Sequence, residues 1–153
     1  NMGMELSLKD AIQYGKEREA FGRPIGSYQV WKHKFAEHLT ALEASKALTY
    51  QAIDVLNTGT PQAATKIVSM AKLFAGDLAQ KVTYDCLQFH GGYGFTTEFP
   101  VERYLRNSKA AVIYEGTSQL HTLIQADYAL GYREDRPLRC EPWPAQAWER
   151  PTT

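Results

Sequence analysis

Apolar side chains recur at three- and four-residue steps along most of this chain, the spacing of one face of an α-helix. The first such stretch, about Glu5 to Arg18, carries Leu8, Ala11, Ile12 and Tyr14. It stops at Phe21-Gly22-Arg23-Pro24-Ile25-Gly26, where two glycines and a proline force a loop. Ser27 then suits the N-cap of a second helix, about Tyr28 to Leu56. Trp31, Phe35, Leu39, Leu42, Leu48, Ala52 and Leu56 form its apolar stripe, with Lys32, Lys34, Glu37, Glu43 and Lys46 mostly between. Asn57-Thr58-Gly59-Thr60-Pro61 ends it, Gly59 as the C-terminal cap and Pro61 in the first turn of the next helix.

That third helix is expected from about Gln62 to Phe89, apolar at Ile67, Ala71, Phe74, Leu78, Val82 and Cys86. His90-Gly91-Gly92-Tyr93-Gly94 breaks it. A short helix, about Val101 to Ser108, follows Pro100, and Ala110 to Tyr114 is short and apolar, a pattern that also fits an extended segment. A last helix, Ser118 to Leu130, is expected to bury Leu120, Leu123, Ile124 and Tyr128. No capping box supports its start, because Leu120 and His121 stand where a Glu or Gln would be needed. Two long helices joined by a short Gly-Pro loop run antiparallel. The predicted fold is therefore all-α: an up-and-down four-helix bundle with a short extra helix over residues 1–132. From Arg133 prolines cluster with Trp143 and Trp148. Residues 133–153 are read as a non-helical tail whose tryptophans dock on the bundle or on a neighbouring subunit.

Composition narrows the function classes. At 153 residues, 44% hydrophobic and 22% charged, the chain has the proportions of a soluble globular protein and enough length to bury a core. Lys+Arg and Asp+Glu both number 17, so no net charge draws it to nucleic acid or to an anionic membrane. No apolar run approaches a membrane span. Cys86 and Cys140 lack paired spacing and read as reduced thiols, which fits an intracellular compartment, bacterial cytoplasm or organelle matrix. Asn1 precedes Met2, so residue 1 is no ordinary translation start, and the chain reads as a piece of something longer.

Few residues invite chemistry. His33 and His38 are five apart, not the four that places two metal ligands on one helix face, so no metal site is expected. No nucleophile elbow is present. Gly91-Gly92-Tyr93-Gly94 lacks the strand-turn-helix context of a dinucleotide fingerprint, and by itself is a helix stop. There remains Ile113-Tyr114-Glu115-Gly116-Thr117-Ser118-Gln119. It sets one carboxylate beside a glycine that lets backbone approach a ligand, followed by a Thr-Ser pair able to start a helix.

Taken in order, the punctuation resembles the carboxyl-terminal domain of the acyl-CoA dehydrogenase family, from about residue 6 to residue 130. Four motifs carry the resemblance: Tyr14-x-x-x-Arg18-x-x-Phe21-Gly22; Gln29 eight residues on; Gln88-x-x-Gly91-Gly92-x-Gly94-Phe95; and Tyr114-Glu115-Gly116-Thr117-Ser118-Gln119. Glu98-Phe99-Pro100-Val101-Glu102-Arg103 is similar to the family's approach to its active-site loop.

The resemblance implies that Glu115 is the base that takes the α-proton of an acyl-CoA thioester while hydride passes from the β-carbon to FAD. Such a base needs a dry site that raises its pKa, and hydrogen bonds where enolate charge develops. In the family one of these comes from the backbone N–H of the base. Tyr114 and Gly116 would line the thioester cleft. Thr117, Ser118 and Gln119 would meet FAD at a helix start. Arg18, Phe21, Tyr28 and Gln29 match positions that touch the FAD of a partner subunit, Arg18 at the pyrophosphate; Gln88, Gly91 and Gly92 match a second such contact. Read alone, Phe21 also fits a core residue, Gln29 a solvated first-turn residue and Gly91 a cap.

A homodimer or homotetramer, and electron-transfer flavoprotein as electron acceptor, follow from the same resemblance. Where the family commonly reads Arg-Asp-Ala, this chain has Arg106-Asn107-Ser108, which loses a local ion pair. The family's amino-terminal helical domain and middle β domain have no counterpart among these residues. Two other readings stand beside the dehydrogenase: a helical module that serves only oligomer contacts, and an acyl-CoA oxidase-like flavoenzyme.

Overall fold

The computed structural model describes residues 1–133. Helix α1 spans Met2–Glu17, α2 Gln29–Thr58, α3 Pro61–His90, α4 Val101–Ala111 and α5 Ser118–Leu130. The readings of Cys140, Trp143, Trp148 and the tail lie outside the described residues.

The bundle is organised around α3, which packs against each of the other four helices. Its buried face presents Leu78, Val82, Cys86 and Phe89 to Met4, Leu8 and Ala11 of α1 and to Leu42 of α2. Phe89 is the hub of an aromatic cluster, its ring centroid 4.6 Å from Trp31 and 5.0 Å from Phe35. Gly15 is required beside it, since a Cβ there would stand 2.7 Å from Phe89 Cζ. The same bare backbone lets Gly26 approach α1, which docks the segment after α1 against the bundle. Thr60 caps α3 by accepting from the Ala63 N–H at 3.3 Å, with Pro61 in the first turn as expected.

Several local expectations are corrected. Phe21 to Gly26 is not a plain loop: β1 (Glu19–Ala20) and β2 (Arg23–Pro24) pair antiparallel. Phe21 and Gly22 form the two-residue turn, with φ of +54° and +78°, the left-handed pair that suits hairpin twist. Ser27 does not cap α2; its hydroxyl donates to the Pro24 carbonyl at 2.6 Å, and Tyr28 takes the cap position with no side-chain bond. Ala110 to Tyr114 is not extended. With Ala110 and Ala111 as helix formers, α4 runs through Ala111 and closes as the Ile113 and Tyr114 amides both donate to the Ala110 carbonyl.

Helix α5 buries none of its residues fully, and Leu120 and Leu123 are 49% and 62% exposed. Leu39, Leu56 and Phe74 of the predicted stripes are exposed as well. Ser108 makes polar ties to α3: Gln80 Nε2 donates to its hydroxyl at 2.8 Å and Thr83 Oγ1 lies 2.9 Å away. Arg106 pairs instead with Glu102, one turn back on α4, at 3.3 Å.

Candidate functional site

Glu115 sits in the short link between α4 and α5. Gly76 of α3 brings that link close, since a Cβ there would lie 3.2 Å from the Ala111 carbonyl. The chain then bends sharply, with Glu115 at φ +54° and Gly116 at +94°. A Cβ at Gly116 would also stand 2.9 Å from His121 Nε2, so glycine is needed there twice over.

The bend is held from two sides. His121 Nε2 donates to the Glu115 carbonyl at 3.2 Å, and Lys72 Nζ donates to the Gly116 carbonyl. Thr117 is the N-cap of α5, accepting from the Leu120 N–H at 3.3 Å. The Ser118 hydroxyl donates to Asp77 at 2.7 Å and the Ser118 N–H to the Val112 carbonyl at 3.3 Å. The Thr117 and Ser118 side chains are thus engaged within the chain, while Gln119 is exposed. Tyr114 and Glu115 are exposed and Gly116 is half-buried. The Glu115 N–H finds no acceptor among the described residues.

A second group lies at the far end of α3. Lys72 and Gln88 are sixteen residues apart on that helix, about 24 Å at 1.5 Å per residue. Arg18, Gly91 and Gly92 line one cleft of about 470 Å³ there, with Tyr14, Phe89 and His90 also on its walls. The Arg18 guanidinium lies 5.8 Å from the Tyr93 ring centroid, and no carboxylate pairs with it among the described residues. Gly91 combines φ +59° with ψ −135°, a backbone region outside the left-handed helical well and open to glycine. Gly92 has neither a positive φ nor any neighbour within 4 Å of a built Cβ, so nothing within the described chain accounts for its missing side chain.

Phe21, Gln29 and Gln88 are exposed and do not line this cleft. Phe21 stands at the hairpin tip, 98% exposed, and is no core residue. Tyr28 supports the hairpin: its hydroxyl donates to the Ala20 carbonyl at 2.8 Å, and Arg23 lies over its ring at 4.0 Å.

His90 Nδ1 donates to the Cys86 carbonyl at 2.7 Å, and its ring stacks on Tyr14 at 4.3 Å. Burial pushes its pKa below the ordinary value, against the Cys86 carbonyl and the Asp10 charge.

The structure adds residues that sequence reasoning did not single out. Lys72, Asp77 and His121 all reach the Glu115–Ser118 link, and Ser69 bonds to the His121 ring. Ser69 and Lys72 are one turn apart on α3, a spacing that marks a shared face but not what that face meets.

Comparison with known proteins fits this geometry. The family model of the acyl-CoA dehydrogenase C-terminal domain matches residues 2–130. An acyl-CoA dehydrogenase of Bacillus subtilis (strain 168) is 44% identical over 127 residues, covering 83% of this chain and 33% of that protein. Butyryl-CoA dehydrogenase of Megasphaera elsdenii superposes with a TM-score of 0.80 at 35% identity, over 84% of this chain and 33% of the other. A glutaryl-CoA dehydrogenase of Mycobacterium smegmatis, solved in complex with FADH2, gives 0.78 at 26% identity, over 88% and 34%. The chain spans about a third of the length of the proteins it matches. Its helices, their order and the match over residues 2–130 make this chain a member of the acyl-CoA dehydrogenase family, with the fold of that family's C-terminal domain.

Proposed function

We propose that this chain is the carboxyl-terminal part of a flavin-dependent acyl-CoA dehydrogenase, in which Glu115 removes the α-proton of an acyl-CoA thioester. The observation that carries the reading is at Glu115 itself. One residue offers an exposed carboxylate and a backbone N–H with no acceptor among the described residues, in a left-handed bend that its neighbours hold. A base and an oxyanion donor are what proton removal beside a thioester requires. The C–H is weakly acidic, so the carboxylate gains strength as a base when water is excluded. Residues 1–133 leave Glu115 open to water, so its cover comes from outside them. Tyr114, exposed beside it, and Gly116, which adds no bulk, would border the thioester.

FAD, when bound, supplies the acceptor for the hydride that leaves the β-carbon. The residues present fit it: Arg18 offers a guanidinium with no carboxylate partner among the described residues, and Gly92 leaves space that nothing in the described chain uses. Phe21, Tyr28, Gln29, Gln88 and Gly91 surround or support that end. Ser118 meets α3 at Asp77, eleven residues or about 17 Å along that helix from Gln88, which suits separate flavins for Thr117, Ser118 and Gln119 and for the Arg18 end. That separation, together with the exposed Phe74, Leu123 and Leu130, supports a homodimer or homotetramer in which a neighbour's flavin meets Arg18. Electron-transfer flavoprotein is the proposed acceptor of the electrons.

The test uses the full-length protein. It should purify yellow and bleach anaerobically on addition of acyl-CoA, with little peroxide formed in air. Rapid peroxide formation would assign it to the oxidases, and a colourless protein would leave only the assembly role.

A further inference from the structure

Glu115 is one of two non-glycine residues with positive φ among the described residues. A residue with a Cβ stays in that region only when its surroundings hold it there. The other, Phe21, is one half of a two-residue hairpin turn, so its conformation follows from the turn. Glu115 has no such excuse: it links two helices.

What holds it is a set of three side chains from two helices. Two successive carbonyls, those of Glu115 and Gly116, each receive one side-chain donor, His121 from α5 and Lys72 from α3. A carbonyl oxygen only accepts, so His121 must carry its proton on Nε2. At the other edge of the ring Nδ1 lies 2.9 Å from the buried Ser69 hydroxyl, which can donate to it or accept from it. The Glu115 carbonyl thus fixes the Nε2 proton, and Ser69 holds the far edge of the ring in place. Gly116 is the third condition, because any Cβ there would collide with the imidazole.

We propose that His121, held at Nδ1 by Ser69 and with Lys72 on the next carbonyl, is a positioning residue that aims the Glu115 carboxylate. No bond from these three side chains to that carboxylate is present; they act on the backbone that carries it. The inference rests on the reading of Glu115 as the base. Misplacing a reacting group by about 1 Å can cost on the order of 100-fold in rate, and releasing one of two carbonyl anchors allows a shift of that size.

The experiment compares full-length wild type with His121→Leu, Ser69→Ala, His121→Gln and Glu115→Gln. His121→Leu removes both ring nitrogens, Ser69→Ala removes the hydrogen bond at Nδ1, and His121→Gln keeps one donor and one acceptor. Anaerobic single-turnover bleaching by acyl-CoA should slow about 10- to 100-fold in His121→Leu and less in Ser69→Ala, with KM and bound flavin unchanged. His121→Gln should recover most of the rate. Amide hydrogen exchange over residues 112–118 should quicken in His121→Leu, a readout that needs no turnover. An unchanged bleaching rate, unchanged exchange, or a loss of flavin and KM that Gln does not rescue would overturn the clamp. Glu115→Gln separates the two failures: bleaching that survives it removes the base itself, whereas a dead Glu115→Gln beside a fully active His121→Leu removes only the clamp.

Discussion

His38 Nε2 and Asp85 Oδ2 lie 2.8 Å apart across the contact of α2 with α3, and Lys34 Nζ meets the other carboxylate oxygen at 2.5 Å. The His38 side chain is 2% exposed, so its N–H has no ready access to water. Asp85→Ala should leave that donor unsatisfied at a cost of about 1–3 kcal/mol, read as a lower midpoint in urea unfolding. His38→Leu, which removes the need as well as the donor, should cost less. Equal losses would mean that packing, not the hydrogen bond, holds the contact.

Acid should destabilise the bundle in two stages. Burial lowers the His90 pKa from its ordinary 6.5, so the unfolded chain takes up that proton first. The stability this contributes is complete above about 6.5 and drains as pH falls toward the lowered folded value. Burial also opposes the Asp85 charge, but the hydrogen bonds from Lys34 and His38 outweigh it and hold that carboxyl below its ordinary range. Its contribution is complete above about 4 and is lost as pH falls through the folded value. Melting temperature should therefore drop between pH 7 and 5, then again below 4, and His90→Gln should shrink the first drop. A melting temperature that rises on acidification would contradict both shifts.

Cys86 should be chemically quiet. Burial drives its thiol up to about 11, and the side chain is almost wholly enclosed. At pH 8 its alkylation, followed site by site by mass spectrometry, should run on the order of 100-fold slower than in the unfolded chain. Comparable rates would show that the α1–α3 contact opens freely.

Arg18→Gln should weaken flavin retention in the full-length protein. A charge-assisted hydrogen bond contributes about 1.5–3 kcal/mol, so affinity should fall roughly 10- to 100-fold. Flavin per chain after gel filtration measures it. Full retention would place the pyrophosphate elsewhere.

The helices were legible because their signals are local. Periodicity placed all five, and Gly59-Thr60-Pro61 and His90-Gly91-Gly92 marked breaks that the structure repeats within a residue or two. Tyr114 to Gln119 stands out in the sequence for the same reason, being six consecutive residues, and its sharp bend is what the structure adds. Contacts between helices were not. His38 with Asp85 and Ser69 with His121 join residues 47 and 52 positions apart, and helical spacing does not say which faces meet. The hairpin at Phe21 was missed because a phenylalanine in a left-handed turn gives no compositional signal. Burial of α5 was misjudged for another reason: an apolar stripe shows which face can be covered, not that this chain covers it.

The most direct measurement of the central claim is anaerobic titration of the full-length flavoprotein with acyl-CoA, wild type against Glu115→Gln. The account predicts that the variant keeps its flavin and its affinity for acyl-CoA but no longer bleaches. A variant that bleaches at the wild-type rate would contradict it, because the α-proton would then leave to a base other than Glu115.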